Sequence, residues 1–306
     1  MHAITILDGG MGKELRRIGA PFRQPEWSSL ALIEAPDMVV QAHTNFIGAG
    51  AEVIITNNYA VVPFHHDADF FAEHGIALVD LAGRLARRAA DAAAREVRVA
   101  GSMPPLFGSY EPEHFDADGA RPIYADIATA LAPHVDLWIG ETLSTLDEMR
   151  VIVEAIAVTG PDRPVWMSFS LPDAWAAGTP MALRSGETIT EIAQAVADLP
   201  HPVDAVLFNC SLPEQTGPAL AALRTDLDAV ALDGVRTGGY ANAFPNERDD
   251  AYRANEVIFE RREDLTATRY ADIVESWIDG GATIVGGCCD MYPEHVAALA
   301  ARFARA

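Results

Sequence analysis

Eight short apolar runs recur along the chain, and helix-like segments separate most of them. The runs lie at 4–7, 52–56, 97–101, 135–139, 164–170, 205–208, 236–242 and 282–286, although 229–232 competes for the seventh place. Strands that alternate with helices are typical of parallel α/β folds. No break in composition divides the 306 residues. We therefore predict one α/β domain over residues 1–306, a (β/α)8 TIM-type barrel, with a doubly wound open sheet as the alternative.

Polar residues follow these runs at the end where parallel barrels carry their active sites. The residues at the predicted strand tips are Asp8, Thr56, Asn57, Asn58, Tyr59, Ser102, Glu141, Asn209, Cys210, Asn242, Cys288 and Cys289. A long loop, 102–110, follows the third run, and such loops in compact domains are commonly functional. The barrel hypothesis thus places all of these side chains around one end of the molecule.

All three cysteines of the chain lie at such tips. Cys210 ends the sixth run, and Cys288 and Cys289 follow the eighth, after Gly286 and Gly287. A regular strand points successive side chains to opposite faces, so adjacent cysteines reach one ion only where the pleat is broken. The two glycines supply the conformational freedom for that break. Adjacent thiols pair with each other only under strain, which favours reduced cysteines here.

Three thiolates suit Zn²⁺ and leave a fourth position for a further ligand, as catalytic zinc sites require. Zinc with three thiolates carries a net charge of −1 and is a poor generator of hydroxide. It is better suited to holding a substrate thiol as a nucleophilic thiolate. The cysteines therefore favour alkyl transfer to sulfur over hydrolysis, with three small core residues as the alternative interpretation.

Five segments occur together in a characteristic order. They are Asp8-Gly-Gly-Met-Gly12, Ile55-Thr-Asn-Asn-Tyr59, Gly140-Glu-Thr142, Phe208-Asn-Cys-Ser211 and Gly286-Gly-Cys-Cys289. With them the chain resembles, over nearly its whole length, the homocysteine S-methyltransferase family. That family includes betaine–homocysteine and S-methylmethionine–homocysteine methyltransferases. The resemblance implies a (β/α)8 barrel whose zinc is held by Cys210, Cys288 and Cys289.

The resemblance also implies that Asp8 and Glu141 bind the amino group of homocysteine. Carboxylates suit an ammonium group, and backbone N–H groups of the 9–12 turn or of the loop at Ser102 suit the carboxylate. Further candidates for the substrate pocket are Thr56, Asn58, Tyr59 and Ser102, and Asn209 and Asn242 are candidates for orienting the ligands.

We predict methyl transfer from an onium donor to the homocysteine thiolate, giving methionine, with S-methylmethionine or S-adenosylmethionine as the favoured donor. The 103–110 loop departs from the commoner form in the family, so it does not define the donor. Trp175 and Tyr110 are candidates for contact with the onium group. Two alternatives are a barrel enzyme with a cysteine nucleophile and a non-catalytic protein that binds a thiol or zinc.

The chain is strongly acidic, with a formal net charge of −22, and Lys13 is its only lysine. Such a surface repels nucleic acid and anionic membranes. No apolar stretch is long enough for a membrane span, and the N-terminus has no secretory signal pattern. We expect a cytoplasmic protein whose partners are homocysteine and a small methyl donor, with a homo-oligomer also compatible. Lys13 and the adjacent histidines His65 and His66 are expected to be exposed to solvent.

Overall fold

The computed structural model describes residues 3–173, 180–245 and 261–304. Its strands are β1 (Thr5–Ile6), β2 (Val53–Ile55), β3 (Arg98–Met103), β4 (Leu137–Leu143), β5 (Val165–Phe169), β6 (Ala205–Asn209), β7 (Arg236–Ala241) and β8 (Ile284–Gly287). Its α-helices are α1 (Met11–Arg17), α2 (Ser29–Glu34), α3 (Pro36–Gly48), α4 (Ala68–Phe70), α5 (Ile76–Asp91), α6 (Ala117–Leu131), α7 (Leu146–Thr159), α8 (Ile189–Ala197), α9 (Pro213–Ala229), α10 (Ala267–Asp279) and α11 (Pro293–Phe303). A π-helical turn, Phe71–Gly75, joins α4 to α5, and a short 3₁₀ turn, Pro112–His114, precedes α6.

The eight strands are parallel and pair in the order β1-β8-β7-β6-β5-β4-β3-β2. The two ends of this sheet meet through a parallel bridge between Leu7 and Val53. Two backbone hydrogen bonds support the junction, from Glu52 N–H to Ile6 O (2.7 Å) and from Asp8 N–H to Val53 O (3.1 Å). The predicted (β/α)8 barrel is confirmed, and the open sheet is excluded.

Alternate residues along the strands divide the core into two parts, as the period of two in a strand requires. One set, which includes Leu137, Trp166 and Ile284, forms an apolar cluster inside the barrel. The other set, which includes Trp138, Met167 and Val285, joins the larger cluster between the strands and the surrounding helices. Both faces of the sheet are therefore buried, and polar side chains are left at the strand ends.

The structure confirms the preferred seventh strand and extends the fourth. The seventh strand is Arg236–Ala241, close to the predicted 236–242, and the competing segment 229–232 begins at the last residue of α9 instead. The fourth strand continues to Leu143, with a register shift between Gly140 and Leu143. This irregularity brings Glu141 into the strand itself. In the described residues, no helix is long and apolar enough to cross a membrane.

Candidate active site

The three cysteines converge at the carboxyl end of the barrel. Cys210 follows β6 with a left-handed backbone (φ 47°), and Cys288 and Cys289 follow β8. Their sulfur atoms all lie within 4.8 Å of one another. Three sulfur ligands at this spacing match the donor set that proteins use for zinc, so the residues fit a metal ion of that class.

The sulfur atoms of Cys210 and Cys288 lie in contact, and their Cα atoms are 5.7 Å apart, a spacing that also allows a disulfide. The bond that the sequence disfavours is one between the adjacent Cys288 and Cys289, and these two are not joined. β6 and β8 bring Cys210 and Cys288 together from distant parts of the chain. Metal binding by all three sulfurs requires reduced cysteines, because the thiolate is the ligand.

The glycines before the cysteines act through close packing. An added Cβ on Gly286 would collide with Leu7, and one on Gly287 would collide with Met291. β8 ends at Gly287, and the chain then turns so that Met291 N–H donates to Cys288 O at 3.1 Å. The adjacent cysteines thus lie in a turn, and no break inside the strand is needed.

Asp8 and Glu141 are both buried beside the thiols in a cavity of about 150 Å³. Asp8 Oδ2 accepts from Ile55 N–H at 2.8 Å, and Glu141 Oε1 accepts a short hydrogen bond from Ser102 Oγ. Burial raises the pKa of Glu141 to about 7. It also raises the pKa of Asp8 well above its usual value, and the charge of Glu141 adds to that shift. A cation bound between the two carboxyl groups would lower both pKa values and favour the ionised forms, so the pair suits a positively charged group.

Asn209 holds the irregular part of β4 that carries Glu141. Its Oδ1 accepts from Thr142 N–H, and its Nδ2 donates to Thr142 Oγ1, both at 2.8 Å. Ser168 Oγ also donates to Asn209 Oδ1, at 2.7 Å. Thr142 has a left-handed backbone (φ 60°), which is costly for a β-branched residue. The amide of Asn209 therefore positions the irregular end of β4, on which Glu141 lies.

The predicted residues at the tips of β2 and β3 form a closed hydrogen-bond network. Thr56 Oγ1 donates to Asn58 Oδ1 (2.6 Å), Asn58 Nδ2 donates to Ser102 O (3.0 Å), and Ser102 N–H donates to Thr56 Oγ1 (2.9 Å). Thr56 lines the cavity, whereas Asn58 and Ser102 lie behind its wall. The network fixes Ser102, and through it Glu141.

Tyr59 lines the cavity, and its hydroxyl shares a 2.6 Å hydrogen bond with Ser109. Asn242 is fully buried, and its Oδ1 accepts from Phe244 N–H at 3.2 Å. Its Nδ2 has no hydrogen-bond partner within the three described ranges. The next residue, Ala243, donates its N–H to Cys289 O at 3.0 Å, which places this amide close to the cysteine turn.

Several residues of the cavity wall were not predicted. Lys13 is buried, not solvated, and its Nζ lies 3.1 Å from Asp290 Oδ2. His65 is also buried, contrary to the exposed pair expected, and it meets Pro25 O at 2.9 Å through Nδ1. Burial lowers the pKa of His65 to about 4, so its imidazole is neutral at pH 7.

Trp27 also lines the cavity. Of the two aromatic candidates, Tyr110 lines the cavity and Trp175 lies outside the described residues.

Comparison with known proteins places this site in a family. The family model for homocysteine S-methyltransferase matches residues 5–303. The chain belongs to the homocysteine S-methyltransferase family. Among curated homocysteine S-methyltransferases, one from Escherichia coli is 28% identical over 98% of this chain and 95% of its own length. A selenocysteine methyltransferase from Astragalus bisulcatus is 25% identical over 95% of this chain and 90% of its own.

Solved structures agree with this assignment. The metallated form of the E. coli homocysteine methyltransferase MmuM superposes with a TM-score of 0.77 at 27% identity, covering 98% of this chain and 96% of that one. Its oxidized form gives a TM-score of 0.76 at 26% identity, with the same coverage. Members of this family thus include one that was crystallised with metal and also in an oxidised state.

Proposed function

We propose that this protein transfers a methyl group from an onium donor to the thiolate of homocysteine, giving methionine. The observation that carries the proposal is that three clustered cysteine sulfurs and two buried carboxyls share one cavity. A thiol-binding centre beside an ammonium-binding pair matches the two ends of a small amino-acid thiol. The family to which the chain belongs supports the same reaction.

The cysteine cluster is proposed to hold zinc through Cys210, Cys288 and Cys289. Bound zinc would keep the acceptor sulfur in its thiolate form near neutral pH, which supplies the nucleophile without a separate general base. Asn242 is proposed to support this cluster, since its buried amide lies one residue before the N–H that bonds to Cys289 O.

Asp8 and Glu141 are proposed to hold the ammonium group of homocysteine. Their pKa values are raised because both are buried, so a cation between them favours loss of their protons. Ser102 directs Glu141 by its hydrogen bond, and Asn209 fixes the backbone of the next residue, Thr142. Thr56 and Tyr59 are proposed to contact substrate from the wall, and Asn58 to act through Ser102.

In the reaction, the acceptor sulfur forms a bond to the methyl carbon while the bond from that carbon to the donor heteroatom breaks. The electron pair of the broken bond stays on the donor, which becomes neutral. Charge is lost from both reactants in the transition state, and a cavity that excludes water favours such a change. The wall includes Trp27, Tyr59, Tyr110 and Phe244, whose rings suit a cationic donor. S-methylmethionine and S-adenosylmethionine are the favoured donors.

A donor panel tests the proposal. Reduced protein is incubated with homocysteine and S-methylmethionine, S-adenosylmethionine or betaine, and methionine is measured by mass spectrometry. Methionine from a sulfonium donor supports the proposal, and its absence with every donor overturns it. A chelator should abolish turnover. If alkylation inactivates the enzyme while the chelator spares it, a cysteine nucleophile replaces the proposed mechanism.

A further inference from the structure

Lys13 is the positive charge in an otherwise acidic cavity. Among the described residues of the wall, it is the only lysine or arginine, and it faces a site that contains Asp8, Glu141 and three thiols. The remaining basic side chain of the wall, His65, is neutral at pH 7 because burial lowers its pKa to about 4. Among the described residues of the wall, Lys13 is therefore the side chain that can offer a positive charge to an acceptor carboxylate at pH 7.

Lys13 is held in place by the turn that carries the cysteines. Its Nζ lies 3.1 Å from Asp290 Oδ2, and Asp290 directly follows Cys289. Tyr292 Oη donates to the other oxygen of Asp290 at 3.3 Å. Both members of the ion pair are almost fully buried, with side-chain exposures of 8% and 2%. The pair is thus held in one geometry, and removal of either member would leave an uncompensated buried charge beside the cysteine turn.

The backbone beneath Lys13 is packed against the same turn. Gly10 N–H donates to Met291 O at 2.8 Å, and an added Cβ on Gly10 would come within 2.6 Å of Cys288 O. The segment from Asp8 to Lys13 therefore runs directly over the residues that follow β8. This contact and the ion pair with Asp290 place Lys13 beside the cysteine turn, on the wall of the cavity that Asp8 also lines.

We propose that the Lys13 ammonium receives the α-carboxylate of the amino-acid acceptor, while Asp290 holds Lys13 in position. An ammonium carries three N–H donors and can serve two carboxylates at once. The acceptor is then fixed at three points, its sulfur at the cysteine cluster, its ammonium at Asp8 and Glu141, and its carboxylate at Lys13. Lys13 is accordingly a specificity determinant that selects α-amino-acid thiols over simple amino thiols.

This inference rests on the proposed function, so the test measures binding separately from turnover. Reduced, zinc-loaded protein is titrated by calorimetry with homocysteine and with 3-aminopropane-1-thiol, which lacks only the carboxylate. Wild type should bind homocysteine more tightly. In Lys13→Met the affinity for homocysteine should fall about 10- to 100-fold, the usual cost of a lost charged hydrogen bond. The affinity for the analogue should change by less than about 3-fold, because it never used the lysine.

Matched variants separate this role from a structural one. Lys13→Arg should restore most of the discrimination, and Arg16→Met, which removes an exposed cation from the same helix, should leave it unchanged. If Lys13→Met fails to fold, Lys13→Met combined with Asp290→Asn neutralises both members of the buried pair and should show the same loss of discrimination.

Three outcomes would overturn the inference. These are equal weakening of both thiols in Lys13→Met, unchanged discrimination in a folded variant, and a raised KM for the donor with an unchanged KM for homocysteine. The last would assign Lys13 to a carboxylate on the donor. If wild type discriminates between the thiols but forms no methionine, the proposed reaction fails while the role of Lys13 stands.

Discussion

Asn209 and Thr142 are joined by two hydrogen bonds of 2.8 Å, one to the backbone N–H of Thr142 and one to its hydroxyl. The pair fixes the left-handed residue that follows Glu141 in β4. Asn209 also immediately precedes Cys210, so one amide connects the carboxylate end of the cavity to the thiol end. A single buried side chain thus lies between the residue proposed to bind the ammonium group, Glu141, and a residue proposed to bind zinc, Cys210.

Thr142→Val tests this link. The substitution keeps the shape of the side chain but leaves Asn209 Nδ2 buried without its partner, which costs about 1–3 kcal/mol. We expect a lower free energy of unfolding by urea and a raised KM for homocysteine, with zinc content retained. Ser168→Ala is the matched control, since it removes a bond to the same amide but leaves Thr142 in place. Equal KM effects in the two variants would argue against a positioning role for Thr142.

Glu141→Gln should stabilise the substrate-free protein at neutral pH and weaken the binding of homocysteine. The pKa of Glu141 is about 7 in the folded protein, against an ordinary value of 4.5. Below pH 4.5 this carboxyl is neutral in the folded and in the unfolded protein, and its contribution to stability is fully present. Between pH 4.5 and pH 7 the unfolded chain loses the proton while the folded protein keeps it, so the free energy of unfolding falls as the pH rises through 7. Over this window the free energy of unfolding of wild type should fall by about 3 kcal/mol relative to that of the variant.

Urea unfolding of substrate-free protein at pH 5 and pH 8 measures the effect. The stabilisation of Glu141→Gln over wild type should be larger at pH 8. The variant should also bind homocysteine more weakly while it keeps zinc. Loss of zinc in this variant would show that the role of Glu141 has been misassigned.

His43 is a buried residue with no part in the proposed reaction. Its side chain is fully buried in α3, and neither ring nitrogen has a hydrogen-bond partner within the described ranges. Burial lowers its pKa to about 3 from an ordinary 6.5. Below pH 6.5 the unfolded chain binds a proton at this residue that the folded protein does not, so stability falls as the pH drops from 6.5 towards 3.

His43→Leu should therefore raise the free energy of unfolding by about 1–2 kcal/mol at pH 7, since an unpaired polar ring is replaced by an apolar side chain. The gain should be about 2 kcal/mol larger at pH 5. His74→Leu, at a half-exposed position, is the control and should show little change at either pH. A gain that does not grow on acidification would contradict the protonation argument.

The position of the site could be predicted because strand ends fix it. Once the eight runs alternate with helices, the tips that carry Asp8, Glu141 and the cysteines must meet at one end of a barrel. The function of Gly286 and Gly287 could not be predicted, because they are required by contacts with Leu7 and Met291 on other segments. Lys13 and His65 look like surface residues in sequence. Their burial depends on Asp290 and on the carbonyl of Pro25, which only the folded chain brings near them.

The central claim is that Cys210, Cys288 and Cys289 hold zinc for a thiol acceptor. Metal analysis by mass spectrometry of protein purified under reducing conditions, without added zinc, tests it most directly. We predict about one zinc per chain in wild type, a loss of most of it in Cys210→Ala, and retention in Glu141→Ala. Oxidation should release the metal, since Cys210 and Cys288 are close enough to form a disulfide, and a reductant with zinc should restore it. Reduced wild type without zinc, together with a Cys210→Ala variant of unchanged metal content and activity, would contradict the account.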